Sequence, residues 1–123
     1  MINYKKHARP VTYYSKPSTL GLTLIYTVPD HHTSELLCLH VANTEAGVTL
    51  FSLEITNART GEIMNVYDLV SMATQSVLTV DNLHIFLGPN DTVRIKSNVI
   101  NKLAVLMSFN EIYDTNKTHA HGA

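Results

Sequence analysis

Histidines are the residues in this chain whose chemistry most readily suggests a metal site. His31 and His32 are adjacent, and His119 and His121 are separated by one residue. A zinc or iron site needs three or four nitrogen, oxygen or sulfur ligands that converge at about 2 Å. Neighbouring residues of a strand point to opposite faces, so His31 and His32 share an ion only if a turn brings them together. We therefore expect no metal site and no cofactor.

Covalent catalysis has equally little support. Cys38 lies within Leu36-Leu37-Cys38-Leu39, where apolar surroundings disfavour the reactive thiolate. We interpret this lone cysteine as a small core residue of a protein made in a reducing cytosol. No Gly-X-Ser-X-Gly elbow and no glycine-rich phosphate loop occurs. Asp91 and Glu111 could pair as carboxylates, but solvated turn acids are far more common. The sequence thus predicts a protein that is not an enzyme.

The positive charges are concentrated near the N-terminus. Four basic residues precede the first acidic residue, Asp30, although the net charge of the 123-residue chain is only −1. Basic arms of this kind often reach a partner, whereas a solvated, mobile terminus is the alternative. Because the rest of the chain is acidic, only this arm could bind nucleic acid. We expect a protein partner instead.

Tyrosines are interleaved with these cations. The candidate protein-interaction residues of the arm are Tyr4, Lys5, Lys6, Arg9, Tyr13, Tyr14 and Lys16. The tyrosines could stack on bases, but they suit docking on a neighbouring subunit better. In this hypothesis the tyrosines act as apolar anchors, the cations meet an acidic partner surface, and the arm becomes ordered on docking.

The elements that must position these residues are short strands. Alternation predicts that one side of the segment 20–28 faces the core, namely Leu20, Leu22, Leu24, Tyr26 and Val28. Further strand-like segments, separated by turn residues, are 34–42, 48–56, 62–69, 76–80, 83–87, 92–97 and 103–113. A short helix near 67–73 is the alternative for one of them. About eight strands predict an all-β fold, a single antiparallel β-sandwich that is jelly-roll-like and has an extended N-terminal arm.

The composition fits one globular domain. Apolar residues make up 45% of the chain and charged residues 15%, which is enough for a buried core. The sequence contains no run of about 18 apolar residues, so it predicts no membrane-spanning helix. The N-terminal residues also lack the apolar stretch of a secretory signal. We divide the chain into a basic N-terminal arm (1–18), a β-sandwich domain (19–113) and a flexible C-terminal tail (114–123).

Four segments follow one another in a distinctive order between residues 20 and 113. They are Tyr26-Thr27-Val28-Pro29, Leu39-His40-Val41-Ala42-Asn43-Thr44, Leu87-Gly88-Pro89-Asn90-Asp91-Thr92-Val93-Arg94-Ile95 and Met107-Ser108-Phe109-Asn110-Glu111-Ile112. In order and spacing this pattern resembles a family of small virion proteins of tailed bacteriophages. The chain departs from that family at Asp30-His31-His32-Thr33, where the family has Ala-Gly-Lys-Thr. It also has Asn90 where the family has glycine, and asparagine tolerates a left-handed backbone.

The resemblance implies a non-enzymatic structural protein of the virion, without catalytic residues. Such proteins serve in capsid decoration (as cement) or as neck or tail components. The implied partners are the major capsid protein or tail and neck proteins, together with further copies of the chain in a trimer or ring. A glycan-binding β-sandwich module for host attachment is the alternative, although sugar platforms favour exposed aromatic residues and the chain has no tryptophan. Capsid, neck and tail locations stay open.

Overall fold

The computed structural model describes residues 7–113. Tyr4, Lys5, Lys6 and the predicted tail 114–123 lie outside the described residues. Nine strands occur in the order β1 (His7–Ser15), β2 (Thr23–Thr27), β3 (His32–Asn43), β4 (Thr49–Thr56), β5 (Ile63–Met72), β6 (Val77–Val80), β7 (Ile85–Leu87), β8 (Thr92–Ser97) and β9 (Leu103–Tyr113). Between residues 7 and 113 there is no helix long and apolar enough to cross a membrane.

The strands form two antiparallel sheets. Sheet A has the order β1-β9-β3-β6, and sheet B has the order β2-β8-β4-β5. Because β6 pairs with residues 39–42 of β3 and β7 pairs with residues 34–36, β6 and β7 act as one interrupted edge strand. Counted this way, β1 pairs with β9, β2 with β8, β3 with β6 and β7, and β4 with β5. This nesting is that of an eight-stranded jelly roll, so the predicted all-β sandwich is confirmed.

The core lies between the two sheets and uses the inward side of each strand. Its largest fully buried side chains include Phe51, Leu53, Phe109, Met107 and Ile95. Full burial of one such side chain stabilises the fold by about 1.5–3 kcal/mol. Buried residues alternate with exposed or half-buried ones along β8 and β9, as the pleat of a strand requires.

The segment 20–28 differs from the prediction. Leu20, Leu22 and Leu24 were expected in the core, but each is about half exposed. The register of β2 against β8 shifts between Leu24 and Tyr26, so one extra residue is inserted into the strand. A bulge of this kind reverses the alternation of faces. Tyr26 is therefore buried in the core, whereas Leu24 faces outward beside Arg94.

The predicted arm also differs in part. Residues 7–15 were assigned to an arm that precedes the sandwich, but they form β1 and pair with β9. Pro10 is compatible with this strand because β1 lies at the edge of sheet A, where a missing N–H leaves no ladder partner unsatisfied. Residues 67–72 belong to β5, so the alternative of a helix there is also wrong.

Each edge of the two sheets carries a feature that hinders the addition of another strand. β1 contains Pro10, and the edge formed by β6 and β7 is interrupted between Val80 and Ile85. β2 has its bulge at Ile25, and β5 shifts register twice against β4 and includes Leu69 with a left-handed φ of 51°. Prolines and bulges protect edges from further pairing.

The turn at Gly88–Asp91 confirms one detail of the sequence argument. Asn90 adopts a φ of 68°, the left-handed conformation for which asparagine is well suited. The buried Asp91 side chain braces this turn, since its carboxylate accepts the N–H groups of Gly88 and Ala58, both at 2.8 Å. Both oxygens are used within the fold, which gives Asp91 a structural role.

Candidate assembly interface

The outward side chains of sheet A form a broad surface with few charges, which we call face A. They face outward because they alternate with buried residues, as Leu106 alternates with Val105 and Met107. Face A comprises Ala8, Pro10, Thr12, Tyr14, Thr33, Glu35, Cys38, His40, Ala42, Val77, Thr79, Phe86, Ala104, Leu106, Ser108, Asn110 and Ile112. Its one carboxylate belongs to Glu35, and this set has no lysine or arginine.

Rows of larger and smaller side chains alternate along face A. Two rows have larger side chains. One contains Pro10, Asn110, Glu35 and Phe86, and the other contains Tyr14, Leu106, His40 and Thr79. The rows with smaller side chains are Thr12, Ser108 and Cys38, and then Ala104, Ala42 and Val77. Outward rows are about 7 Å apart, because two strand residues separate them. Face A therefore carries ridges and grooves that run across the strands.

One of the grooves contains a distinct depression of about 410 Å³. The cross-strand partners Ala42 and Ala104 contribute small side chains to its lining, and Tyr14, His40 and Leu106 also line it. Tyr14 is 76% exposed, and Phe86, on the other ridge of the same face, is 71% exposed. Large exposed apolar side chains beside an apolar depression are typical of interaction surfaces.

Cys38 belongs to face A, so its interpretation as a core residue is wrong. The register of β3 against β9 shifts between Leu36 and Cys38, which places Leu36 and Leu39 in the core and turns Cys38 outward beside Ser108. Its thiol is a free, partly exposed group. The reason for the error is the same as in β2, because a bulge cannot be read from alternation alone.

A buried carboxylate connects the strands of sheet A to sheet B. Glu111 of β9 accepts hydrogen bonds from the Tyr26 hydroxyl at 2.7 Å and from Arg9 Nη2 at 2.9 Å, and its side chain is 3% exposed. The Tyr26 oxygen also lies 3.0 Å from Ser34 Oγ. Burial raises the pKa of the Tyr26 hydroxyl above its usual range, so this group keeps its proton and donates to Glu111. The cluster is structural, because its groups satisfy one another.

Two of the predicted interaction residues are engaged within the molecule. Arg9 forms the ion pair with Glu111. Tyr13 faces inward, where its ring centroid lies 5.1 Å from that of Tyr26 and 5.9 Å from that of Phe109. Both residues therefore hold β1 against the sandwich. Their role in docking stays a prediction.

Two further predicted residues lie at the surface that face A provides. Tyr14 stands on a ridge, and Lys16 lines the depression. Sequence reasoning missed Leu106 and Ala104, which lie on the same face. A signal for them exists in β9, where Ala104, Leu106 and Ile112 alternate with the core residues, so that three of its five outward residues are apolar.

The outward side of sheet B, which we call face B, has a different character. Arg94 and Lys96 project from β8, and Glu54 of β4 is the cross-strand partner of Arg94. Arg94 also donates a hydrogen bond to Thr92 Oγ1 at 2.7 Å. Leu24 is exposed among these polar groups. Face B therefore carries more charged groups than face A, although Leu24 and Ile63 also give it exposed apolar area.

A second apolar surface is a cleft of about 350 Å³ at the open side of the sandwich, near β5 and β7. Its apolar lining consists of Ile55, Ile63, Met64, Ile85, Phe86 and Leu87. Glu62 and the structural Asp91 add negative charge. Ile63 and Met64 are mostly exposed, so this cleft also offers apolar area to a partner.

The histidines do not converge. Within residues 7–113, no three His, Cys, Asp or Glu side chains are grouped so that they could hold a metal ion. The His32 ring forms a hydrogen bond with the backbone carbonyl of Asp30 in its own turn. His84 Nδ1 lies 2.7 Å from Glu35 Oε2 on face A. The pair at 119–121 lies outside the described residues.

Comparison with known proteins identifies the fold. The chain matches no protein-family profile and no curated protein sequence. It is similar to a subunit of Bacillus endospore appendages, described as a novel family of disulfide-linked pili, with a TM-score of 0.55 and 13% identity over 92% of this chain and 94% of that chain.

Two chains from a virus show a similar likeness. A chain of the T13 IBDV viral particle has a TM-score of 0.54 and 10% identity, and the match covers 85% of this chain and 31% of that chain. A chain of infectious bursal disease virus, Gt strain, has a TM-score of 0.51 and 8% identity over 92% of this chain and 33% of that chain. This jelly roll thus spans about a third of each viral chain but nearly all of the pilus subunit. At these identities the likeness is one of fold.

Proposed function

We propose that the protein is a non-enzymatic structural protein of a bacteriophage virion, which self-associates and docks on the capsid or on the neck or tail. Face A is the observation that carries the proposal, because it is a ridged surface with few charges and an exposed aromatic ring on a rigid sandwich. The fold likeness to a pilus subunit and to chains of a viral particle supports an assembly role. The turns that resemble tailed-phage proteins support the type of particle.

The edges of the sheets favour assembly through faces and termini. Pro10 in β1 and the bulges in β2 and β5 hinder strand addition. Contacts with neighbours must then come from side-chain surfaces such as face A, or from chain ends. Repetition of such contacts in a particle converts weak individual affinities into stable attachment.

The N-terminal residues are proposed to contact other virion proteins. Tyr4, Lys5 and Lys6 supply one aromatic ring and two cations ahead of β1, and Tyr14 and Lys16 extend this set to the rim of face A. Arg9 and Tyr13 contribute by holding β1 in place. Segments that become ordered on docking lose entropy but can cover a large partner surface.

The experiment that tests the function is quantitative mass spectrometry of virus particles purified from the culture in which the chain is naturally made. A virion role predicts that the chain is present in a fixed ratio to the major capsid protein. Many copies per particle indicate capsid decoration, and a small ring of copies indicates a neck or tail location. Presence in the lysate without presence in purified particles would contradict the proposal.

Deletion of residues 2–6 tests the docking segment. A longer deletion through residue 16 would remove β1 and unfold the sandwich, so it cannot separate docking from folding. The short deletion is expected to lower incorporation into particles and to leave the melting temperature of the purified protein unchanged. Deletion of the same number of residues at the other terminus, 119–123, is the matched control and should leave incorporation normal.

A further inference from the structure

We propose that face A is the surface through which two copies of this chain pair, face to face, about a two-fold axis. This inference rests on the proposed assembly function and names its first partner, a second copy. A two-fold interface uses the same patch on both subunits, so the patch must be complementary to itself in shape and in charge. Face A meets both requirements.

The ridges and grooves of face A are complementary to those of a second copy. Five outward rows follow one another from the start of β3. From the first to the fifth, they contain Thr33, Phe86, Cys38, Leu106 and Ala104. We place a two-fold axis between the third and fourth rows, parallel to the sheet and perpendicular to its strands. This axis brings the third row of one copy over the fourth row of the other, and the second row over the fifth. Every ridge of one copy then lies over a groove of the other. Leu106 faces Ser108, and Phe86 approaches the small residues around Ala42.

The charges at face A are few, namely the Glu35 carboxylate and, at the rim, the Lys16 ammonium group. In a two-fold interface each charge faces the same patch on the second copy, so two strongly charged patches repel each other. The Glu35 carboxylate already has a hydrogen-bonding partner within its own chain, because His84 Nδ1 lies 2.7 Å from its Oε2. The axis places Glu35 near Ala42 of the second copy and away from its own symmetry mate. Face B would instead bring Arg94 and Lys96 of both copies together.

The area of face A suffices for a specific pair. β1 spans 9 residues, which corresponds to about 30 Å at about 3.4 Å per residue, and four strands at about 4.8 Å span about 19 Å. Pairing would therefore cover about 570 Å² per copy, or about 1,100 Å² in total by these dimensions. Specific interfaces begin at about 1,000 Å² of total buried area.

Cys38 provides a native reporter of this geometry. It is the single cysteine of the chain and lies in a row next to the axis. Two paired sheets are about 10 Å apart, and the two Cys38 positions are offset by about 7 Å along the strands, so their Cα atoms are about 12 Å apart. A disulfide cannot bridge that distance, but a bismaleimide with a two-carbon linker can join the two thiols.

The experiment applies this bismaleimide to the full chain and measures its mass in solution by analytical ultracentrifugation. Pairing predicts a dimer that the reagent converts to a covalent dimer. Leu106→Asp should raise the dissociation constant at least about 100-fold and abolish the cross-link, whereas Leu24→Asp on face B should leave both unchanged. Ala104→Arg, which fills the depression, gives a second disruptive variant, and circular dichroism verifies that each variant is folded.

Three outcomes would overturn the pairing. They are a monomeric mass, a dimer in which Cys38 is not cross-linked, and a dimer that is unaffected by both face A variants. Thr27 is exposed on face B, where it is the cross-strand partner of Thr92. Thr27→Cys combined with Cys38→Ser therefore controls for random collision, because the new thiol should not cross-link. A failed cross-link in a chain that purified particles contain would reject the pair and leave the virion role intact. A chain that is cross-linked as a dimer but absent from particles would reject the virion role and leave the pair intact.

Discussion

Face A and face B are the outer surfaces of two sheets in one sandwich, yet they follow different chemistry. Face B places Arg94, Lys96 and Glu54 at outward positions, as a sheet does when one side is solvated. Face A has Leu106 and Ala104 at corresponding positions of β9 and an exposed ring at Tyr14. Folding demands apolar residues only on the inward side of each sheet. The low charge of face A and its exposed Tyr14 ring therefore favour the proposed second contact, in which sheet A becomes a middle layer.

The strongest way to break this comparison is to place a charge on each face in turn. Ala104→Arg puts a long cation into the depression of face A, and we expect the dimer dissociation constant to rise at least about 100-fold. Thr27→Arg adds the same side chain to face B and should change the constant less than about threefold. Sedimentation equilibrium measures both. Equal effects of the two substitutions would show that the faces do not differ in role.

A substitution in the interior separates the stability of the sandwich from the properties of its faces. Tyr26→Phe removes the donor to the buried Glu111 carboxylate, and we expect the free energy of unfolding to fall by about 1–3 kcal/mol because a buried acceptor loses its partner. Denaturation in urea measures this change. The dissociation constant of the folded dimer should stay the same.

Tyr67→Phe is the control for that loss. The Tyr67 ring lies 6.3 Å from Phe51, and its hydroxyl bonds no other side chain of residues 7–113, so removal should cost less than about 0.5 kcal/mol. If both tyrosine variants lost the same stability, the bond to Glu111 would not be the cause.

Truncation of one exposed apolar residue on each face gives a finer test. Tyr14→Ala should weaken pairing about tenfold, since a largely exposed aromatic side chain buries a large apolar area when the pair forms. Leu24→Ala on face B should have no measurable effect on the constant, although about half of that side chain is exposed. Isothermal dilution calorimetry resolves this difference. An equal loss for Leu24→Ala would place the contact elsewhere.

The smallest expected effect is that of salt. Pairing through face A involves few charges, so its dissociation constant should change less than about twofold between low and physiological ionic strength, although the Debye length shortens to about 8 Å. Fluorescence anisotropy of chain labelled at its N-terminus measures the titration. A steep dependence on salt would indicate that Lys16 or the basic residues of the N-terminus carry the association.

The fold was largely predictable because alternation is a local property of a strand. Segments 92–97 and 103–113 match β8 and β9 in their bounds, and the turn at Asn90 was anticipated from its sequence. The errors at Leu24 and Cys38 share one cause. A single bulge in β2 or β3 reverses the facing of the residues beyond it, and composition does not indicate where that extra residue lies. β1 was missed because Pro10 is tolerated only where a strand is at an edge, which depends on its neighbours.

The sequence alone determined that this chain is an antiparallel β-sandwich, because inward apolar residues and turn residues recur at strand spacing. It also indicated an interaction role near the N-terminus through Tyr14 and Lys16. Only the tertiary structure decided which surface these two residues join, since Leu106, Ala42 and Ala104 come from distant segments that register brings into adjacent strands. The physical reason is that the facing of a residue is set locally, whereas a surface is assembled from pairings between strands that are far apart in the chain.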